Sequence, residues 1–223
     1  MIALNIIKKV FVRFYDNLFK MAILNLIWFS LLILPFLLSL VMRNPYIIMI
    51  GTLYLVIIAG PVTLSAMSFI DNTLDHGYSK FKDFFNGIKE NFKRGLLAFL
   101  FSFTVYLILV VDIVFFLQGS ASIFLQILTI FFFYIFIVFT IMQVYYWGLL
   151  TIQKDVGLWT IIKRSLILVM DNIVPSILIF LFLLIIVILH IVVPFLIPLF
   201  LLALISLTSI IMTRKILEKY AAE

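Results

Sequence analysis

Two histidines, ten carboxylates and no cysteine are the acid–base and metal-ligating side chains of this 223-residue chain. Without cysteine there is no disulfide framework, no thiolate metal site and no thiol nucleophile. His76 and His190 stand far apart, and no carboxylates gather beside either, so no metal-ligand spacing is present. The chain holds no HExxH, no phosphate-cradling glycine loop and no nucleophile elbow. The expectation is a protein with no catalytic residue, no metal and no cofactor.

Three features remain as candidates. Gly60-Pro61 and Thr63 lie in an apolar run. There proline removes an intrahelical hydrogen bond, and hydroxyls at Thr63, Ser65 or Ser68 can bond a freed carbonyl or a neighbouring helix. A fixed bend that packs small residues closely is the first reading, and a gate or hinge the second. Arg43, Asp112 and His190 form a candidate outer polar cluster, one group from each of three apolar hairpins. Ionisable groups at membrane depth are costly, so each needs a partner or a function. An Arg43–Asp112 ion pair is expected, with separately solvated groups or a ligand or proton site as alternatives. Finally, Phe81, Phe84, Phe85, Ile88 and Phe92 recur at helical spacing, with Lys82, Asp83, Asn86, Lys89, Glu90 and Lys93 on the other side. Such a stripe suits lipid tails or the ends of neighbouring spans.

The elements that carry these residues follow from composition. Apolar residues make up 66% of the chain and charged ones 12%, and the mean hydropathy is +1.32. A soluble domain is about half apolar and one quarter charged, so one core cannot hide this surface. Soluble enzymes, disordered chains and secreted disulfide scaffolds are excluded. Apolar runs long enough to cross about 30 Å of hydrocarbon fall at 22–42, 46–69, 96–117 and 123–150. A longer run from 173 to 212 divides into 173–191 and 194–212, with Pro194 and Pro198 at the turn and the first residues of the sixth helix. The expected architecture is an all-α, polytopic transmembrane bundle in one integral membrane domain, with six spans arranged as three hairpins.

Of the sixteen Lys and Arg residues, only Arg43 lies in a segment on the opposite side from the others. The positive-inside rule then places both termini in the cytoplasm of a plasma membrane protein. The net charge of +6 reads as topology and affinity for anionic headgroups of the bilayer. No basic run is dense enough for nucleic acid. The first apolar run is of full spanning length, so a cleavable leader is not expected.

The three cytoplasmic segments at 4–20, 79–94 and 158–172 share a design. Each reads as an amphipathic interfacial helix before a hairpin, with Lys8, Lys82 and Lys163 standing ahead of Asp16-Asn17, Glu90-Asn91 and Asp171-Asn172. An internal repeat is the first reading, and convergent juxtamembrane composition the second. Among neutral polar residues, Asn25, Gln126 and Gln143 suit hydrogen bonds between helices. Tyr145, Tyr146 and Trp147 suit an aromatic belt at the membrane surface, and His76-Gly77 a solvated turn.

Asn25-Leu26-Ile27-Trp28, Gly60-Pro61-Val62-Thr63-Leu64 and the segment Phe81 to Gly95, with Lys89-Glu90-Asn91-Phe92-Lys93, occur in an order that resembles the YesL-like integral membrane proteins of bacteria. That family is known as a domain of unknown function. The motifs cover the first half of the chain, and the length and span layout agree over all of it. The resemblance implies a multi-pass plasma-membrane protein near sugar-import and polysaccharide-degradation systems, and carries no catalytic residue. A sugar-importer permease is the partner it implies, and a second copy of the chain is another candidate. The expected function is a non-catalytic accessory or scaffold subunit. The alternative is a small transporter or channel built from internal repeats.

Overall fold

The computed structural model describes residues 2–77, 79–118 and 123–221. Ser120 and Glu223, which the topology reading assigns to the outer loop and the cytoplasmic tail, lie outside the described residues. The described chain forms nine α-helices and no strand. Three short helices are α1 (Ile2–Asp16), α4 (Phe81–Glu90) and α7 (Leu158–Asp171). Each is followed by a hairpin of long apolar helices: α2 (Leu18–Val41) with α3 (Pro45–His76), α5 (Phe92–Gln118) with α6 (Ile123–Ile152), and α8 (Ile173–Val192) with α9 (Leu202–Ala221). Six helices are long and apolar enough to cross a membrane, so the chain is a multi-pass helical bundle.

The short helices end at Asp16, Glu90 and Asp171, and Asn17, Asn91 and Asn172 occupy the three breaks. Their φ angles of −122°, −92° and −129° leave the α-helical range. The side-chain amides of Asn17 and Asn172 each donate to the carbonyl four residues earlier, Arg13 and Leu168, both at 3.1 Å. Asparagine thus supplies a local partner for a carbonyl the ended helix leaves open, and the chain turns into the next span. At the far end of α2, Asn44 accepts from the Tyr46 N–H at 2.9 Å and Pro45 opens α3. The last turn of α3 closes at Gly77, whose φ of +73° is the left-handed conformation that glycine adopts without strain.

The helices run further than the apolar stretches, because helical hydrogen bonding continues into polar flanks. The sixth span departs further from expectation. Pro194 opens a single 3₁₀ turn over Pro194–Leu196, and a wide π turn over Ile197–Leu201 separates it from α9. The missing proline N–H groups favour this irregular winding over a regular helix start.

Burial is concentrated toward the end of the bundle where the basic residues gather. Residues from Ala59 to Thr73 of α3, Phe139 to Thr151 of α6 and Leu202 to Thr213 of α9 supply most of the interior. In α6, no residue from Ile123 to Val138 is buried. Gly60 and Gly95 let the backbones of α3 and α5 approach closely. A Cβ on Gly60 would overlap the Gly95 carbonyl oxygen, and one on Gly95 would lie 2.7 Å from the Pro61 Cα. Pro61 does not end α3, and Gly60 gives the close packing that small residues provide in membranes.

The aromatic belt expected at Tyr145 and Tyr146 is corrected: both are fully buried. Their hydroxyls bond Ser176 Oγ (2.8 Å) and the Ala98 carbonyl (3.2 Å), so they lock α6 to α8 and α5. A belt needs side chains at the outside of the bundle, and α5, α8 and α9 cover this stretch of α6.

Replacing Gly60 or Gly95 with valine forces the α3–α5 crossing apart. Each substitution should cost about 1–3 kcal/mol and lower the circular-dichroism melting midpoint in detergent. An unchanged midpoint for both would mean that the crossing carries no stability.

Candidate functional site

The six spans leave a cavity of about 620 Å³ between them. Every span contributes to its wall: Trp28 from α2, Thr63 from α3, Ser102 from α5, Gln143 from α6, Phe180 from α8 and Ser206 from α9. The volume falls within the roughly 300–1,000 Å³ of small-molecule sites. Its lining contains no Asp, Glu, Lys, Arg or His. Phe103 of α5 and Leu184 of α8 belong to the wall yet are 44% and 43% exposed, so the cavity opens sideways between α5 and α8. A lateral opening at a span surface faces lipid.

The polar atoms of the wall join neighbouring helices. Trp28 Nε1 donates to Thr63 Oγ1 at 3.1 Å, Ser102 Oγ to Gln143 Oε1 at 3.1 Å, and Tyr106 OH to Thr140 Oγ1 at 3.3 Å. Ser209 Oγ donates to the Val144 carbonyl. Two groups are left over. Gln143 Nε2 and Ser206 Oγ are buried with no hydrogen-bond partner among the described residues. An unmade buried hydrogen bond costs about 1–3 kcal/mol. Both atoms lie beneath the wall, and the surface that the cavity presents is almost wholly apolar.

Thr63 acts through its bond to Trp28 and not on a carbonyl freed by Pro61. Ser65 donates to the Phe84 carbonyl at 2.5 Å and so ties α4 to α3. The aromatic stripe divides: Phe84 is fully buried, Phe81 stacks on Phe69 with centroids 5.3 Å apart, and Ile88 is half-buried. Phe85 and Phe92 stay exposed. The stripe therefore meets a span end along one edge and the surroundings along the other. Asn25 and Gln143 do bond between helices, Asn25 Oδ1 accepting from the Ala203 N–H at 3.0 Å.

No hydrogen bond or ion pair joins Arg43, Asp112 and His190 among the described residues. Arg43 is exposed in the α2–α3 turn with φ +51°, and Asp112 lies half-buried along α5. His190 is buried near the end of α8, where its Nδ1 faces the carbonyl of Ile186 at 2.7 Å. Three hairpins carry them, and of the three only the His190 side chain has a polar contact, within its own helix, among the described residues. Among the described residues, no three His, Asp or Glu side chains gather as metal ligands.

The ionic contact that does join spans escaped the sequence reading. Asp71 and Asp75, one turn apart on α3, both bind Arg214 of α9, with Arg214 Nη2 2.6 Å from Asp71 Oδ1. An acidic i, i+4 pair near the end of a span, with a lone arginine at the end of another, is the signal that could have found it. Nearby, Arg94 donates to the carbonyls of Gln153 and Lys154, fastening the start of α5 to the end of α6.

Compared with family models, curated proteins and solved structures, the chain matches none.

Arg214→Gln would leave two neighbouring carboxylates without their cation. Asp71 is 8% exposed, but the arginine is partly solvated, so a loss of about 1–3 kcal/mol is expected, below that of a fully buried pair. Adding Asp71→Asn should restore part of the melting temperature. Strict additivity of the two changes would show that the pair is not coupled.

Proposed function

We propose that this chain is a non-catalytic accessory protein of a plasma membrane, working by holding an amphiphile in its central cavity. One observation carries the reading: all six spans wall a cavity of about 620 Å³ that is apolar, uncharged and open toward the span surface. Such a site suits a long apolar body. A hydrophilic solute would need polar groups throughout its path to replace its water, and Phe, Leu, Ile and Val dominate here. The family resemblance supports carbohydrate import as the system served and its permease as the partner, an inference by association. The charge distribution supports cytoplasmic termini.

A small transporter is the second reading. It is favoured by three hairpins that begin at corresponding acid–Asn breaks and by a cavity where all six spans meet. True repetition of the unit belongs to this reading.

The cavity contains its own reporters, since Trp28 and Trp147 line it and Trp159 lies exposed on α7. In a Trp159→Phe protein, a brominated long-chain amphiphile should quench fluorescence saturably, and an unbrominated one should reverse it. Ser206→Phe, which fills the cavity, should weaken the effect. Quenching that never saturates and ignores Ser206→Phe would remove the ligand reading. Saturable sugar uptake into liposomes holding this protein alone would promote the transporter.

Topology is tested separately, using the absence of native cysteine. Cysteines placed at Asn5, Lys80 and Lys154 should react only from the cytoplasmic side, and one at Asn44 only from outside. Labelling of Asn5 and Lys154 from opposite faces would exclude cytoplasmic termini.

A further inference from the structure

A second cavity, of about 330 Å³, lies at the basic end between α1, the last turns of α3 and the end of α9. On α1 its wall holds Ile6 and a polar helical row, Asn5, Lys9 and Arg13, spaced four residues apart. On α9 the wall holds Arg214, Lys215 and Glu218. Arg214 is engaged by Asp71 and Asp75, and Lys215 by Glu218 at 2.8 Å. Among the described residues, Lys9 and Arg13 form no ion pair, although the Glu218 carboxylate attracts Lys9 electrostatically. Two cations and an amide therefore line a cavity whose one carboxylate, Glu218, is bonded to Lys215.

The row is held in place. Ala3, Ile6 and Val10, on the adjoining face of α1, are buried, and Phe14 meets Phe200 edge-on at 5.4 Å. On another side of α1, Leu4, Phe11 and Tyr15 are exposed. An apolar strip of this kind seeks acyl chains, which sets α1 at the depth of lipid headgroups.

We propose that this cavity binds a phosphate-bearing anion, with Arg13 supplying a planar fork of donors, Lys9 a second charge and Asn5 a neutral donor. A phosphate oxygen set fits a guanidinium and an ammonium together, and two cations outside any ion pair match one phosphate group. The headgroup of an anionic phospholipid and a soluble phosphate share this chemistry. The exposed strip on α1 favours the headgroup. This site stands apart from the central cavity and does not depend on what that cavity holds.

The test uses the full chain in neutral detergent, read by native mass spectrometry and by thermal melting. Phosphatidylglycerol should bind and raise the melting temperature, where phosphatidylcholine does not. Lys9→Gln/Arg13→Gln should retain its helical circular dichroism but bind phosphatidylglycerol about tenfold or more weakly, as expected for lost charge-assisted hydrogen bonds. Lys8→Gln, which removes a charge of the same helix away from the cavity, should bind as the unaltered protein does. Inorganic phosphate added alone distinguishes the source: a shift that the double variant abolishes would support the phosphate site with a soluble ligand. Equal binding of phosphatidylglycerol by the double variant, or equal loss in Lys8→Gln, would overturn the assignment.

Discussion

The backbone contact between Gly60 of α3 and Gly95 of α5 is the constraint on which most of the bundle depends. No side chain fits between the two helices there, so their axes meet at the distance that glycine alone permits. That crossing brings α4 back along α3, where Ser65 takes the Phe84 carbonyl and Gly87 lies beside the same serine. It also places Ala98 where the buried Tyr146 hydroxyl can reach its carbonyl. Phe99, one turn beyond Gly95, then forms part of the cavity wall. Lipid offers no hydrophobic drive for helices to associate, so close packing and bonds between helices must supply the cohesion.

Charge and cavity are kept apart. The cavity is neutral, with hydroxyl, amide and indole groups that mostly satisfy one another. At the basic end, Arg214 holds α3 to α9 and Arg94 holds α5 to α6, each where long side chains can still reach water. In hydrocarbon a guanidinium would be costly, while near the boundary it gains strong hydrogen bonds at modest desolvation. The same end carries Lys9 and Arg13, which form no ion pair among the described residues. Cohesion there draws on arginine, and the position of carboxylates and open carbonyls decides which helices each one joins.

Span number and hairpin order were legible, because twenty-residue apolar runs and the placement of lysine leave few alternatives. The recurring acid–Asn pairs were legible, but not the breaks they mark at the first two: the amphipathic helices expected over 4–20 and 79–94 end at Asp16 and Glu90. Partners across the bundle were not legible. Gly60 is visible as a small residue beside proline, but its counterpart Gly95 is marked by nothing in its own neighbourhood. Tyr145 and Tyr146 resemble interfacial aromatics because they sit near the end of an apolar run. Their burial follows from the covering by α8 and α5, which no local pattern encodes. The Arg214 contact joins residues more than a hundred positions apart, and the cavity exists only where all six spans converge. The irregular turn before α9 shows the same limit, because two prolines announce a break without stating its winding.

The uneven burial has a mechanical consequence. The portion of α6 from Ile123 to Val138 has no buried residue, and beyond Ser102 only Leu109 of α5 is buried. These arms are held to the rest of the molecule mainly at their roots, around Gly95 and Tyr146. A thinner or thicker bilayer changes how much of each arm lies in hydrocarbon, at a cost of fractions of a kcal/mol per Å of mismatch. Tilting the arms relieves that mismatch while the packed end stays still. Because α5 also forms one edge of the lateral opening, membrane thickness and the width of that doorway are geometrically linked.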